Sequence, residues 1–216
     1  MADARSKILK AAAALFAARG FHGTTTRALA KRAGVNEATI FKKFRSKRRL
    51  YRETLEWKLR ELAERSLPAC VTDPHQLFTQ VIEAREQDPH VMRLILFGVL
   101  EAFPEFKTVL HTWRRDYYSR LESIIVDQKK SGAVADDVPA TLAGVALTGL
   151  AIYHYLFFDV FRINDDLPVS RDELTEFYYR LWRYGLCERV PFPTNESGIR
   201  RSDGEGIKVL ASSAQD

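Results

Sequence analysis

The sequence is poor in the residues that build metal sites and disulfide frameworks. Its 216 residues include two cysteines, two methionines and five histidines. Cys70 and Cys187 lie far apart and outside any Cys-x-x-Cys spacing, so they read as reduced, incidental thiols. His22, His75, His90, His111 and His154 are scattered, never paired at i, i+4, and give no reason to expect a metal or a cofactor. Nucleophile-elbow, P-loop, His-Glu-x-x-His and dinucleotide-binding glycine patterns are missing as well, so no enzyme is expected. The polar opening Met1–Lys10 does not read as a secretory leader, so none is expected and a cytoplasmic address is. Strand-like alternation of useful length is lacking and no repeat is visible, which leaves an all-α fold. The centre of the penultimate predicted helix, Leu142–Phe158, holds no full charge, but it is interrupted by Gly and His and falls short of the roughly 20 apolar residues of a membrane span. It is expected to be a helix buried between subunits.

What the sequence has is charge, unevenly placed. Its 33 Lys and Arg against 28 Asp and Glu give a net of +5. Met1–Arg65 holds 17 of those cations and 6 of the anions, a net of +11, so the remainder carries −6. A basic head on an acidic body is the charge layout of a polyanion-binding module attached to a second domain. Three cations, Arg5, Lys7 and Lys10, lie at the start of the first predicted helix, about Arg5–Arg19. The helix dipole disfavours them there, and a nearby phosphate would offset the repulsion.

Within the head, Thr25–Phe44 reads as two short helices joined by a tight turn. Thr25 and Asn36 are good N-caps, and Gly34 suits the left-handed residue that ends a helix. Leu29, Ala30 and Ala33 give the first helix an apolar face. Ile40 and Phe44 do so for the second, and Val35 plugs the angle between them. This is the sequence form of a helix-turn-helix.

With the helix before it, the segment resembles the DNA-binding domain of TetR-type (tetracycline-repressor-like) regulators. Ile8, Ala12, Leu15, Phe16, Gly20 and Phe21 carry the likeness in the first helix. Thr24, Thr25, Leu29, Ala30, Ala33, Gly34, Val35, Thr39, Ile40, Phe44, Lys47 and Leu50 carry it beyond. Four positions depart from that family's habit: Asn36 for Ser, Phe41 for Tyr, Lys43 for His, and Ala28 for an acidic residue. Phosphate anchoring is therefore expected to lean on lysine charge more than on hydroxyl geometry.

The resemblance implies a sequence-specific regulator, a homodimeric repressor released from a palindromic operator in double-stranded DNA by a small-molecule effector. Side-chain chemistry and family position together nominate Thr25, Thr26, Arg27, Asn36, Glu37, Ala38, Thr39, Phe41, Lys42, Lys43 and Lys47 as DNA-contacting. Of these, Thr25, Arg27, Lys43 and Lys47 suit phosphates. Lys42 suits a guanine edge, Glu37 a cytosine amino group, and Ala38 or Thr39 a thymine methyl.

Behind the head, a helix from Ser46 to about Arg65 leads into the body. Asp73-Pro74 and Asp88-Pro89 each open a further helix, the second so apolar that it is expected to be central. A long periodic helix follows Pro104 and ends at Gly132. Two more, about Pro139–Phe161 and Ser170–Glu188, carry wide aromatic stripes, and the resemblance assigns them to the dimer interface. It also implies an effector pocket for a hydrophobic or aromatic molecule, for which Phe97, Phe103, Phe106, His111, Trp113, Tyr117, Tyr153, His154 and Phe157 are candidates. The expected division is residues 1–46 for DNA binding, 47–190 for effector binding and dimerisation, and a disordered tail over 191–216. Two other classes compete: a non-specific nucleic-acid-binding accessory protein, and a small helical enzyme or carrier that uses the basic head on another polyanion.

Overall fold

The computed structural model describes residues 3–67, 71, 73–134, 136–162 and 168–187, with side chains through 184. Among these residues every regular element is helical: α1 Ala4–Arg19, α2 Thr26–Ala33, α3 Glu37–Phe44, α4 Lys47–Ser66, α5 Pro74–Glu86, α6 Pro89–Leu100, α7 Phe106–Lys130, α8 Ala140–Tyr155 and α9 Arg171–Cys187. A π-helical turn, Leu156–Val160, extends α8. The tail predicted over 191–216 lies outside the described residues.

Local chemistry sets the helix starts. Asp73 and Asp88 accept hydrogen bonds from the Gln76 and His90 amides, each just ahead of a first-turn proline. Ser170 and Glu173 form a reciprocal capping box, Ser170 N donating to Glu173 Oε2 at 2.9 Å and Glu173 N to Ser170 Oγ at 3.2 Å.

Two apolar clusters form the core. The first gathers Ile8, Phe16, Leu29, Ile40 and Phe44 of the three-helix head with Leu50, Leu55 and Leu59 of α4, Val91 and Leu94 of α6, and Phe103 and Phe106. The second joins Phe78, Val81 and Ile82 of α5, Tyr117 and Leu121 of α7, Leu147 and Ala151 of α8, and Tyr178 and Trp182 of α9. Helix α4 enters both, and so ties head to body.

The expectation that α6 is central needs correcting. Val91, Met92, Leu94 and Gly98 face inward, but Val99 and Leu100 are 59% and 79% exposed. Gly98 lets α6 press against the Phe106 ring, so one face of α6 is buried and its C-terminal half lies open. The span Ala140–Val160 is 21 residues long and apolar enough to cross a membrane by length and composition, yet half of its most apolar window is buried inside the bundle. Gly144 of α8 packs against Leu121, which fits a helix shaped for this core.

Candidate nucleic-acid interface

The helix-turn-helix is built by its caps. Thr25 Oγ1 accepts from Ala28 N at 3.1 Å, and Asn36 Oδ1 from Ala38 N at 2.9 Å. Between them Gly34 sits in the left-handed region at φ 66°, its amide bonded to the Ala30 and Lys31 carbonyls. Leu29, Ala30, Ala33, Ile40 and Phe44 are buried, with Val35 packed against them. That burial turns the other side of α3 outward: Ala38, Phe41, Lys42 and Lys43 are exposed and Thr39 is half-buried. Arg27 and Thr25 are exposed at the start of α2. A helix with one face locked into a core and the other offering lysine, methyl and aromatic groups can enter a major groove.

Three nominated residues, Thr26, Glu37 and Lys47, are otherwise occupied. Glu37 is half-buried and accepts a hydrogen bond from the Thr26 hydroxyl, so both side chains bridge α2 to α3. Lys47 is no free cation: its Nζ donates to the Phe21 and Thr24 carbonyls at 2.9 and 3.0 Å and lies 4.2 Å from the Phe21 ring centroid. Burial lowers the Lys47 pKa, opposed by the negative charge of Glu101. Lys43 approaches Asp3 at 3.7 Å, a loose exposed pair that DNA can displace. Arg5 is also committed, to Glu53 at 2.6 Å and over the Phe44 ring. Lys7, Lys10 and Arg32 line a shallow depression between α1 and α2 and have no ionic partner among the described residues. The misplaced helix-start charges hinted at Lys7 and Lys10; nothing pointed to Arg32.

Glu101, at the end of α6, has no sequence signal. Its carboxylate accepts from Phe21 N at 2.7 Å and His22 N at 3.1 Å, eighty residues away, at the end of α1. Gly20 permits this approach, because a Cβ there would fall 2.8 Å from the Glu101 carboxyl carbon and 2.9 Å from Phe97. Arg93 Nε adds a bond to Ala17 O at 2.7 Å, and Phe21, Tyr51 and Phe103 form an aromatic cluster beside it. The body thus grips the head where α1 ends.

The nine candidate pocket residues do not converge. Trp113 and Tyr117, stacked at 4.9 Å, line a cleft of about 500 Å³ between α4 and α7 with Arg52, Glu56, Leu59, Arg60, Ala63, Glu105 and Val109. Phe97 belongs to a separate groove of about 280 Å³ with Leu96, Leu100 and Tyr155. Phe103 and Phe106 are core, His111 and Tyr153 are exposed, and Phe157 is buried. His154 is also buried, its Nε2 3.2 Å from Thr175 Oγ1 and its Nδ1 3.3 Å from Glu86 Oε1. Glu86 in turn binds Arg171, which pairs with Asp159, so His154 belongs to a polar staple joining α5, α8 and α9. Helical spacing cannot separate a ring facing a cleft from one facing the core, since both lie on the inner side of an amphipathic helix.

A basic three-helix head whose third helix turns its polar face outward has the form of a helix-turn-helix DNA-binding domain. Residues 8–54 match the sequence model of the family described as "Bacterial regulatory proteins, tetR family". The HTH-type transcriptional repressor SCO4008 of Streptomyces coelicolor is 25% identical over 136 residues, 63% of this chain and 70% of that one. The TetR family regulator PfmR of Thermus thermophilus superposes with a TM-score of 0.60 at 25% identity, over 82% of this chain and 96% of that one. FadR of Bacillus subtilis, crystallised with stearoyl-CoA, superposes with a TM-score of 0.64 at 19% identity, over 83% and 98%. Residues 8–54 of this chain thus match the DNA-binding segment of the tetR family, and the chain as a whole shares the fold of solved regulators of that family.

Proposed function

We propose that the chain is a homodimeric, cytoplasmic repressor whose residues 1–46 read a palindromic operator, and whose residues 47–190 dimerise and bind a hydrophobic or aromatic effector. The exposed face of α3 carries this reading. Lys42 and Phe41, with Ala38 and Thr39, address base edges, while Thr25, Arg27 and Lys43 address phosphates. One such head buries too little surface to choose a site alone, which calls for two-fold symmetry. A row of exposed apolar groups supports it: Leu142, Val145, Ile152 and Tyr153 on α8, with Phe177, Leu181 and Tyr184 on α9. The repressor SCO4008 and the acyl-CoA complex of FadR support repression and a small-molecule effector.

The effector's place in this reading is the α4–α7 cleft. At about 500 Å³ it has the size of a small-molecule site. Glu105 in its wall pairs with Arg48 at the head end of α4, so a ligand there acts on the helix that links the domains. A ligand that favours one spacing of the two heads shifts the population away from the operator-binding form. Selection of bound duplexes from a random pool tests the reading. A palindrome with fixed half-site spacing is expected; salt-dependent binding without preference would move the protein to the non-specific class. Sedimentation at micromolar concentration should give a dimer, and Phe177→Asp a monomer.

A further inference from the structure

The cleft between α4 and α7 has a charge pattern along its length as well as an apolar floor. The two helices run parallel, because Arg48 meets Glu105, Leu59 O accepts from Trp113 Nε1 at 2.7 Å, and Leu67 O accepts from Arg120 at 2.7 Å. From Glu105 to Arg120 the wall of α7 extends about 22 Å at 1.5 Å per residue. Leu59, Ala63, Val109, Trp113 and Tyr117 make the floor.

Each carboxylate on the rim has an arginine already. Glu56 is held by Arg52 at 3.6 Å, Glu105 by Arg48, and Asp116 by Arg115 at 3.2 Å. Arg60 and Arg120 remain, both exposed and with no acidic partner among the described residues; Arg120 donates only to a neutral carbonyl. Both stand in the half of the cleft away from the head. The opposite end is closed by Glu105, whose Oε2 is buried without a hydrogen-bond donor and repels an anion. The Tyr117 hydroxyl, in a residue 1% exposed, is likewise buried without a partner among the described residues.

Resting on the reading of the cleft as the effector site, we propose that its ligand is an elongated, largely apolar organic anion. Its charged group lies at Arg60 and Arg120, and its body runs over Trp113 and Tyr117 toward Glu105. Charge sets the orientation, because the reverse placement brings an anion against the unsatisfied carboxylate oxygen. Apolar contact supplies the affinity, and the two guanidinium groups supply the discrimination against uncharged analogues.

The test uses the full-length protein and two fluorescent probes with one ring system: 1-anilinonaphthalene-8-sulfonate and its uncharged parent, N-phenyl-1-naphthylamine. Titrations follow probe fluorescence in wild type, Arg60→Gln, Glu56→Gln and the cleft-blocking Thr112→Trp. Arg60 is exposed, so equal thermal melting confirms that Arg60→Gln is folded. The sulfonate is expected to bind about tenfold more weakly to Arg60→Gln, with the parent changed less than twofold. Glu56→Gln, which releases Arg52, should tighten the sulfonate only. Thr112→Trp should weaken both. If Thr112→Trp weakens both probes while Arg60→Gln leaves the sulfonate unchanged, the cleft remains a ligand site and its preference for anions is overturned. If neither probe responds to Thr112→Trp, the cleft is not the effector site, and that part of the proposed function falls with the inference.

Discussion

Replacing Glu101 isolates the grip of the body on the head. Its carboxylate accepts two backbone N–H bonds, from Phe21 at 2.7 Å in a partly buried setting and from His22 at 3.1 Å in an exposed one. A hydrogen bond to a charged group nets about 1.5–3 kcal/mol, and solvent competes for the exposed one. Glu101→Ala should therefore ease local opening at the end of α1 by about 2–3 kcal/mol, which in native-state hydrogen exchange is roughly 30- to 150-fold faster exchange at the Phe21 amide. Glu101→Gln keeps one carbonyl oxygen without the charge and should fall between. The amides of Val81 and Ala151, in the second cluster, serve as the internal control. If Phe21 exchange stays within threefold of wild type while those controls hold, Glu101 does not fix the head. The same variant should retain operator binding but lose part of its response to effector, because the head no longer follows α6.

The other predictions concern single side chains. Lys42→Ala should relax preference at one operator position by about 1–3 kcal/mol, and Lys43→Ala should reduce the slope of log affinity against log salt by about 0.9. Lys47→Met should leave that slope unchanged and lower the melting temperature, since its ammonium caps the Phe21 and Thr24 carbonyls. Burial holds the His154 pKa below its ordinary 6.5, against the opposing pull of Glu86. The folded state then binds fewer protons than the unfolded one, so this contribution is full above pH 6.5 and is lost as pH falls. Denaturant midpoints of wild type should drop more steeply than those of His154→Gln between pH 6.5 and 5; parallel curves would remove His154 from the account. Arg85, 2% exposed, donates to Val81 O but has an unsatisfied Nε and no acidic partner among the described residues. Arg85→Met should raise thermal stability by about 1 kcal/mol or more, because it removes an uncompensated buried charge. A drop of that size would show that the guanidinium is compensated in solution.

The helix-turn-helix was legible because its determinants are local. Thr25, Gly34 and Asn36 act within four residues of their own positions, and the spacing of Leu29, Ala33, Ile40 and Phe44 states which side is buried. The same holds for the starts of α5, α6 and α9. The aromatic residues of the body were a different matter. Phe97, Phe106, Trp113 and Phe157 sit on helical apolar stripes and Phe103 in the turn between α6 and α7, yet Phe97 ends in a groove, Trp113 in a cleft and the other three in the core. Periodicity reports that a face is turned from water and is silent on what it meets.

Composition and short-range pattern alone therefore determined an all-α chain, a basic head with two capped helices, and a family resemblance that the relatives support. Only the tertiary structure decided which cations are spoken for, as with Lys47 and Arg5. It alone placed Glu101 on the end of α1 and left Arg60 and Arg120 unneutralised beside an apolar cleft. The physical reason is sequence separation. Caps and helix faces are settled by neighbours within a turn or two, whereas the charge balance of a cleft depends on helices brought together from fifty to eighty residues apart.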